Sequence, residues 1–260
     1  MILAIETATE LCGVALVHGQ ECIGHRIVIE KNIHSERLMV LVDDLLREAD
    51  VPVRSLDGVA VSIGPGSFTG LRIGLSVAKG LAYACGLPLL AVPTLDAIAY
   101  EAVRAAGDVS SPVRVDIHVD MHNTNAGRDV SRPGSAGLIC AAIDAKRDEA
   151  YYAFYEPAAG DIRCISTHAI ASVSEIAAQF PADIRVVIAG DGARKLAAAL
   201  NGEGHDTVSI DVLCSPVAVG LLAERRFALL EVADFSELEP VYIRDFVTTV
   251  PRIASQTPIP

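Results

Sequence analysis

Two carboxylates each close an apolar run and precede a small residue: Glu6 in ILAIETA (2–8) and Asp144 in CAAIDAK (140–146). Acids at strand ends that face a common cleft can hold Mg²⁺ and phosphate oxygens. Glu6, Thr7 and Asp144 are therefore candidate nucleotide or anion ligands, against the plainer reading of two strand-end acids in turns. Thr7 and Thr9 suit a phosphate hairpin; Ala145 and Lys146 suit it less well. A second candidate is SIGPGSFTGLRIGLSVAKGLAYAC (62–85), where Gly66 and Ser67 lead into a helical pattern. A strand, a glycine loop and a helix N-terminus form an anion-binding context, but both phosphate motifs are incomplete. No Gly-Lys pair follows Gly64, and the third glycine of GxGxxG falls one place late, at Gly70. A third candidate is IAGDGARK (188–195), where Gly190 and Gly192 could accept an adenosine or simply make a tight strand-to-helix turn.

Metal and nucleophile chemistry has weaker support. Asp116, His118, Asp120 and His122 alternate in VDIHVDMHNT, but within a Gly-, Pro-, Ser- and Asn-rich stretch of little periodicity, so no metal site is assigned there. His34 has no second histidine four residues on, because Leu38 stands there. There is no HExxH, and no Ser–His–Asp or Cys–His set stands out.

The elements that must position these residues follow from periodicity. Strands are predicted at Ile2–Ile5, Cys12–Val17 and Cys22–Ile29, then a helix from Ser35, its candidate cap, to Ala49. A strand at Leu56–Ile63, the helix Gly70–Cys85, a strand at Leu89–Val92 and a helix capped by Thr94 follow. After the irregular 107–137, strands at Leu138–Ile143, Ala150–Tyr155 and Ile162–Ile165 restart the pattern, with helices near 172–180, 192–200 and 217–232 and a strand at Val186–Ala189. The repeated order implies two α/β lobes of related topology, each a mixed sheet flanked by helices: 1–106, an inserted loop 107–137, and 138–260.

Two helices carry more than one sheet requires. In Ser35–Ala49, Leu38, Met39, Leu41, Val42, Leu45, Leu46 and Ala49 cover an arc of roughly 160°, where one sheet needs about 100°. Burial between the sheet and a neighbouring helix, and a subunit interface, both remain open. On the interface reading, Arg or Asp at Leu41 or Leu45 abolishes partner binding. In 70–85, Gly70, Gly74, Ala78 and Ala82 form one small-residue row and Ser76, Gly80 and Ala84 another; Arg72, Lys79 and Tyr83 form a narrow basic stripe. Such rows admit a second backbone, and each glycine costs about 1 kcal/mol of helix propensity that packing must offset.

Bulk properties bound the function. The 260 residues carry a formal net charge of −12, against a protein that holds nucleic acid mainly through its own surface; a role in nucleic-acid metabolism would need a basic partner. The six cysteines form no CxxC pair and read as those of a reduced, cytoplasmic protein. MILAIETATE lacks a basic leader pattern, and no apolar run is long enough to span a bilayer, so no membrane association is expected.

The segments ILAIETAT (2–9), His34–Leu38, SIGPGSFTGLRIGLSVAKGLA (62–82), AAIDAKRDEAYYAFY (141–155) and PVYIR (240–244), in this order, resemble the TsaB (YeaZ) family of tRNA-modification proteins. The resemblance implies two RNase H-like lobes of the actin, sugar kinase and Hsp70 (ASKHA) type. It implies a non-catalytic subunit that pairs with the catalytic paralogue TsaD and, through it, TsaE, to form N6-threonylcarbamoyladenosine at position 37 of ANN-decoding tRNAs. It also implies a homodimer when alone, indirect contact with tRNA, and no cofactor of its own, with ATP and Mg²⁺ used by the complex. Carried over, the interface residues are Leu38, Met39, Leu41, Val42, Leu45, Leu46, Arg72, Ser76, Lys79 and Tyr83. The alternative is a free-standing ASKHA-type ATPase or small-molecule kinase using Glu6 and Asp144; for a peptidase no catalytic set is present.

Overall fold

The computed structural model describes residues 1–30, 33–107, 137–158, 160–181, 184–200, 205–230, 232 and 234–243. The chain folds as two mixed sheets of matching order. The first contains β1 (Ile2–Glu6), β2 (Leu11–His18), β3 (Glu21–Ile29), β4 (Gly58–Ser62) and β5 (Leu89–Val92), in the order β3-β2-β1-β4-β5. The second contains β6 (Leu138–Asp144), β7 (Glu149–Ala158), β8 (Asp161–Cys164), β9 (Ala169–Ser172), β10 (Val186–Ala189) and β11 (Thr207–Ile210), in the order β11-β10-β6-β7-β8, with β9 also paired to β7. Each sheet has an antiparallel meander on one side of its first strand and parallel strands on the other. Glu6 and Asp144 thus end equivalent strands, and the fold is the two-lobe ASKHA type.

The helices are α1 (His34–Glu48), α2 (Phe68–Cys85), α3 (Thr94–Gly107), α4 (Val173–Ala177), α5 (Ala193–Leu200), α6 (Pro216–Arg225) and α7 (Phe227–Leu230). Both faces of β1 are covered, so it is a continuous apolar run rather than an alternating one. Leu3 and Ile5 face outward, into a core with Leu38, Leu41, Leu45 and Leu75 of α1 and α2. Ile2 and Ala4 face inward, toward Ile98 of α3, Tyr155 of β7 and Leu221 of α6. The inner core is shared: α6 packs on the first sheet and α3 on the second. Each lobe therefore covers the other's sheet, although 1–106 and 138–260 remain contiguous stretches of sequence.

Several sequence expectations shift locally. Helix α1 begins at His34 with Ile33 as its cap residue and no side-chain cap, so Ser35 lies in the first turn. Helix α2 begins two residues earlier than expected because Ser67 caps it, its Oγ accepting from Gly70 N at 3.2 Å. The helix predicted to run to Val232 breaks at Arg226 into α6 and α7. The strands β9 and β11 were not expected. Most of the 107–137 stretch, including Asp116, His118, Asp120 and His122, lies outside the described residues, as does Arg244.

Candidate functional site

The glycine loop is a close-packing joint. At Gly66 an added Cβ would sit 2.3 Å from Ala8 O; at Gly70, 2.0 Å from Thr7 O; at Gly74, 2.1 Å from Thr7 Oγ1. The start of α2 therefore presses against the β1–β2 turn. Hydrogen bonds lock it there: Ser67 N donates to Ala8 O at 2.7 Å, and Thr7 Oγ1 donates to Gly70 O at 2.8 Å. The loop that resembles a phosphate cradle is filled by the chain's own first turn. The second lobe repeats the device, since an added Cβ at Gly190 would meet Ala142 O at 2.0 Å and one at Gly192 would meet Ala142 C at 3.1 Å. Packing against β6 accounts for both of these glycines without an adenosine.

The two candidate acids have different surroundings. Glu6 is fully buried, accepting from Ala8 N at 2.7 Å and from the Cys214 thiol at 3.1 Å. Asp144 is partly exposed, and both its oxygens are engaged: Oδ1 by Lys195 Nζ at 3.0 Å and Lys146 N at 3.0 Å, Oδ2 by Lys146 Nζ at 3.1 Å. The two acids do not form an open pair of ligands. Burial pushes the Asp144 carboxyl up, but the hydrogen bonds from Lys195 and Lys146 together outweigh it and hold the group below its ordinary value.

Burial pushes Glu6 up to about 7 from its ordinary 4.5, against the lowering effect of its hydrogen bonds. The protonated carboxyl is the form the fold prefers. Its stabilisation is complete below pH 4.5, where folded and unfolded chains are both protonated. It is lost as pH rises through about 7, because the unfolded chain ionises first. The gap corresponds to about 3 kcal/mol. We predict that the stability difference between Glu6→Gln and wild type moves by about this amount in favour of glutamine between pH 4.5 and 8. Urea unfolding at both pH values checks it; an unchanged difference contradicts it.

The outer face of the first lobe is divided differently from the sequence expectation. Leu38, Leu41, Val42 and Leu45 are at most 5% exposed and pack within the lobe, so the wide apolar arc of α1 serves the sheet and α2. These four side chains are not surface contacts, which corrects their assignment to an interface. Leu46 is half-buried, and Met39 (48% exposed) and Val40 (43%) point outward. On α2 the row Gly70, Gly74, Ala78 and Ala82 faces the core, whereas Ser76, Gly80 and Ala84 are exposed, with nothing within 4 Å of a Cβ added at Gly80. Tyr83 stands out from this strip at 83% exposure. A groove of about 460 Å³ lined by Ser35, Phe68, Thr69, Arg72, Ile73, Ser76 and Val77 lies along the face.

The basic stripe is held by a segment no local pattern could reveal. Residues 234–243 run along α2: Phe235 and Leu238 join the outer core, and Val241 N donates to Ile63 O at 2.7 Å. Lys79 Nζ donates to Ser236 O at 3.0 Å, and Arg72 Nε to Tyr242 Oη at 3.0 Å. The Arg72 guanidinium also stacks over Phe68, 3.8 Å from the ring centroid. Arg72 and Lys79 thus secure the chain's own C-terminal segment. His34, first residue of α1, is buried with its Nε2 unpartnered among the described residues, and Leu38 one turn on is core.

Residues 28–125 match the family described as TsaD, tRNA N6-adenosine threonylcarbamoyltransferase. The chain is 34% identical to the tRNA threonylcarbamoyladenosine biosynthesis protein TsaB of Escherichia coli K12 over 155 residues, 60% of this chain and 54% of the relative. It is 40% identical to TsaB of Bacillus subtilis 168 over 98 residues, 38% of this chain and 43% of the relative. The chain thus spans about half the length of the curated relatives it matches. Over nearly its whole length it superposes on the structure of YeaZ from Pseudomonas aeruginosa, with a TM-score of 0.73 and 29% identity, covering 93% of this chain and 98% of that one. Among the described residues no helix is long and apolar enough to cross a membrane.

Proposed function

We propose that this chain, which is similar to TsaB proteins over about half their length and to YeaZ over nearly its whole length, is a non-catalytic scaffold subunit of the machinery that forms N6-threonylcarbamoyladenosine at position 37 of ANN-decoding tRNAs. It binds the catalytic subunit TsaD and, through it, TsaE, and forms a homodimer when alone. The observation that carries this reading is the exposed α1–α2 face, with Tyr83 and Met39 projecting beside a strip at Ser76, Gly80 and Ala84 where another helix can approach closely. An acidic chain reaches tRNA most readily through a more basic partner. ATP and Mg²⁺ belong to the complex. The alternative, a free-standing ASKHA-type ATPase or kinase, needs Glu6 at an open cleft, and Glu6 is enclosed.

The test is co-purification with TsaD of the same organism. Tyr83→Asp and Gly80→Arg alter only exposed positions, so both variants should fold as wild type. Tyr83→Asp should weaken capture at least about 30-fold, as loss of an aromatic anchor worth about 2 kcal/mol or more implies, and Gly80→Arg should weaken it by filling the strip where a partner helix would approach. Wild-type capture by both folded variants would overturn the assignment of this face.

A further inference from the structure

The second lobe carries a side-chain cluster that the scaffold role leaves unused. Cys164 ends β8, and His168 follows four residues later, just before β9. The intervening loop is fixed on β7: Ile165 N donates to Phe154 O at 2.9 Å, and Phe154 N donates to Ser166 Oγ at 2.8 Å. Asp96, in the first turn of α3, arrives from the first lobe. Its Oδ1 lies 3.0 Å from His168 Nε2, and a ligand atom from each of Asp96, Cys164 and His168 lies within 4.8 Å of the others.

We propose that Asp96, Cys164 and His168 form a three-ligand site for a thiophilic divalent cation of the Zn²⁺ class, joining the two lobes at their shared core. One thiolate, one imidazole and one carboxylate suit Zn²⁺ better than Mg²⁺ or Ca²⁺, which prefer all-oxygen sites. Tetrahedral zinc with bonds of about 2.0–2.3 Å places its ligand atoms roughly 3.3–3.8 Å apart. The Asp96–His168 pair is already near that spacing, and the exposed Cys164 thiol, which donates to Ser166 O at 3.1 Å, lies within 4.8 Å of both ligand atoms.

Neighbouring side chains already hold Asp96 and His168. Tyr155, fully buried, donates its hydroxyl to Asp96 Oδ1 at 2.9 Å and lies 3.0 Å from His168 Nε2. Arg226 NH1 lies 3.5 Å from the other oxygen, Asp96 Oδ2, and is itself paired with Asp161. Hydrogen bonds of this kind orient metal-binding side chains. Binding releases the thiol proton of Cys164 and the proton shared between His168 and Asp96 to solvent, and the metal takes their place. The exchange of two protons for one divalent cation leaves the net charge of the cluster unchanged, with no oxidation or reduction.

The test is titration of the full chain with Co²⁺ and with Zn²⁺. Wild type should bind one equivalent of Co²⁺ with a near-ultraviolet thiolate-to-cobalt charge-transfer band, which Zn²⁺ abolishes by displacement. Cys164→Ser, an exposed change that leaves the fold intact, should lose the band. His168→Ala should weaken Zn²⁺ binding by more than about 100-fold, beyond the cost of losing an outer-shell partner. Cys22→Ser, which removes a thiol 3.9 Å from His25, should keep the band. No stoichiometric binding by wild type, or a band that survives in Cys164→Ser, would overturn the site.

Discussion

Leu41→Asp is expected to unfold the first lobe, with a stability loss of about 4 kcal/mol or more, because it places an unpaired carboxylate in the core. Leu41 is 5% exposed and packs in the same cluster as Leu3, Val14 and Leu75. Met39→Asp, two residues earlier on the same helix and 48% exposed, should change stability by no more than about 0.5 kcal/mol. Chemical unfolding of both variants checks the pair. Equal losses would mean that α1 does not present the faces described. The same contrast changes how docking must be tested: loss of partner binding by Leu41→Asp or Leu45→Asp reports unfolding, and only the outward residues probe an interface.

The second large effect is a reversal of sign along α2. Gly70→Ala should destabilise by about 3 kcal/mol, the upper range for an overpacked site, because its Cβ would lie 2.0 Å from the main-chain oxygen of Thr7. Gly80→Ala should stabilise by up to about 1 kcal/mol, since its Cβ meets nothing and alanine is the better helix former. Gly74→Ala separates the causes further. Its clash is with the Thr7 hydroxyl, so Thr7→Ala should relieve it, whereas the same change leaves Gly70→Ala unrescued because the blocking atom there is a carbonyl. Thermal unfolding of the single and double variants measures these differences, and a uniform gain across the three glycines would refute the joint between α2 and the β1–β2 turn.

These two cases also show what the sequence can and cannot reveal. The four-residue spacing of Gly70, Gly74, Ala78 and Ala82 against Ser76, Gly80 and Ala84 displays two small rows, because helical periodicity is local. Which row faces inward depends on where Thr7 and Ala8 lie, more than 60 residues away in the chain. The duplicated strand order was legible from ILAIETA and CAAIDAK, each an apolar run ended by an acid. The mutual covering of sheets by α3 and α6 was not, since both helices are apolar on faces that either sheet would accept. Arg72 and Lys79 read as a free basic stripe because their partners, Tyr242 and Ser236, are 170 and 157 residues away. The strands β9 and β11 carry no period-2 signal because they are short and show little alternation: all four residues of β9 are half-buried, as are three of β11 ahead of the buried Ile210. The Asp96–Cys164–His168 cluster has one local signal, a cysteine and a histidine four apart, and its third member comes from the other lobe.

On the proposed function, this chain contributes a docking surface rather than a reaction. The most direct measurement is tRNA threonylcarbamoylation reconstituted with TsaD and TsaE of the same organism, threonylcarbamoyl-adenylate and ATP, with this chain present, absent, or replaced by Tyr83→Asp. Modification should require wild-type chain, fall with Tyr83→Asp in step with lost TsaD capture, and be accompanied by no ATP turnover when the chain is alone. Full modification in its absence, or ATP turnover by the isolated chain that Glu6→Gln abolishes, would contradict the account.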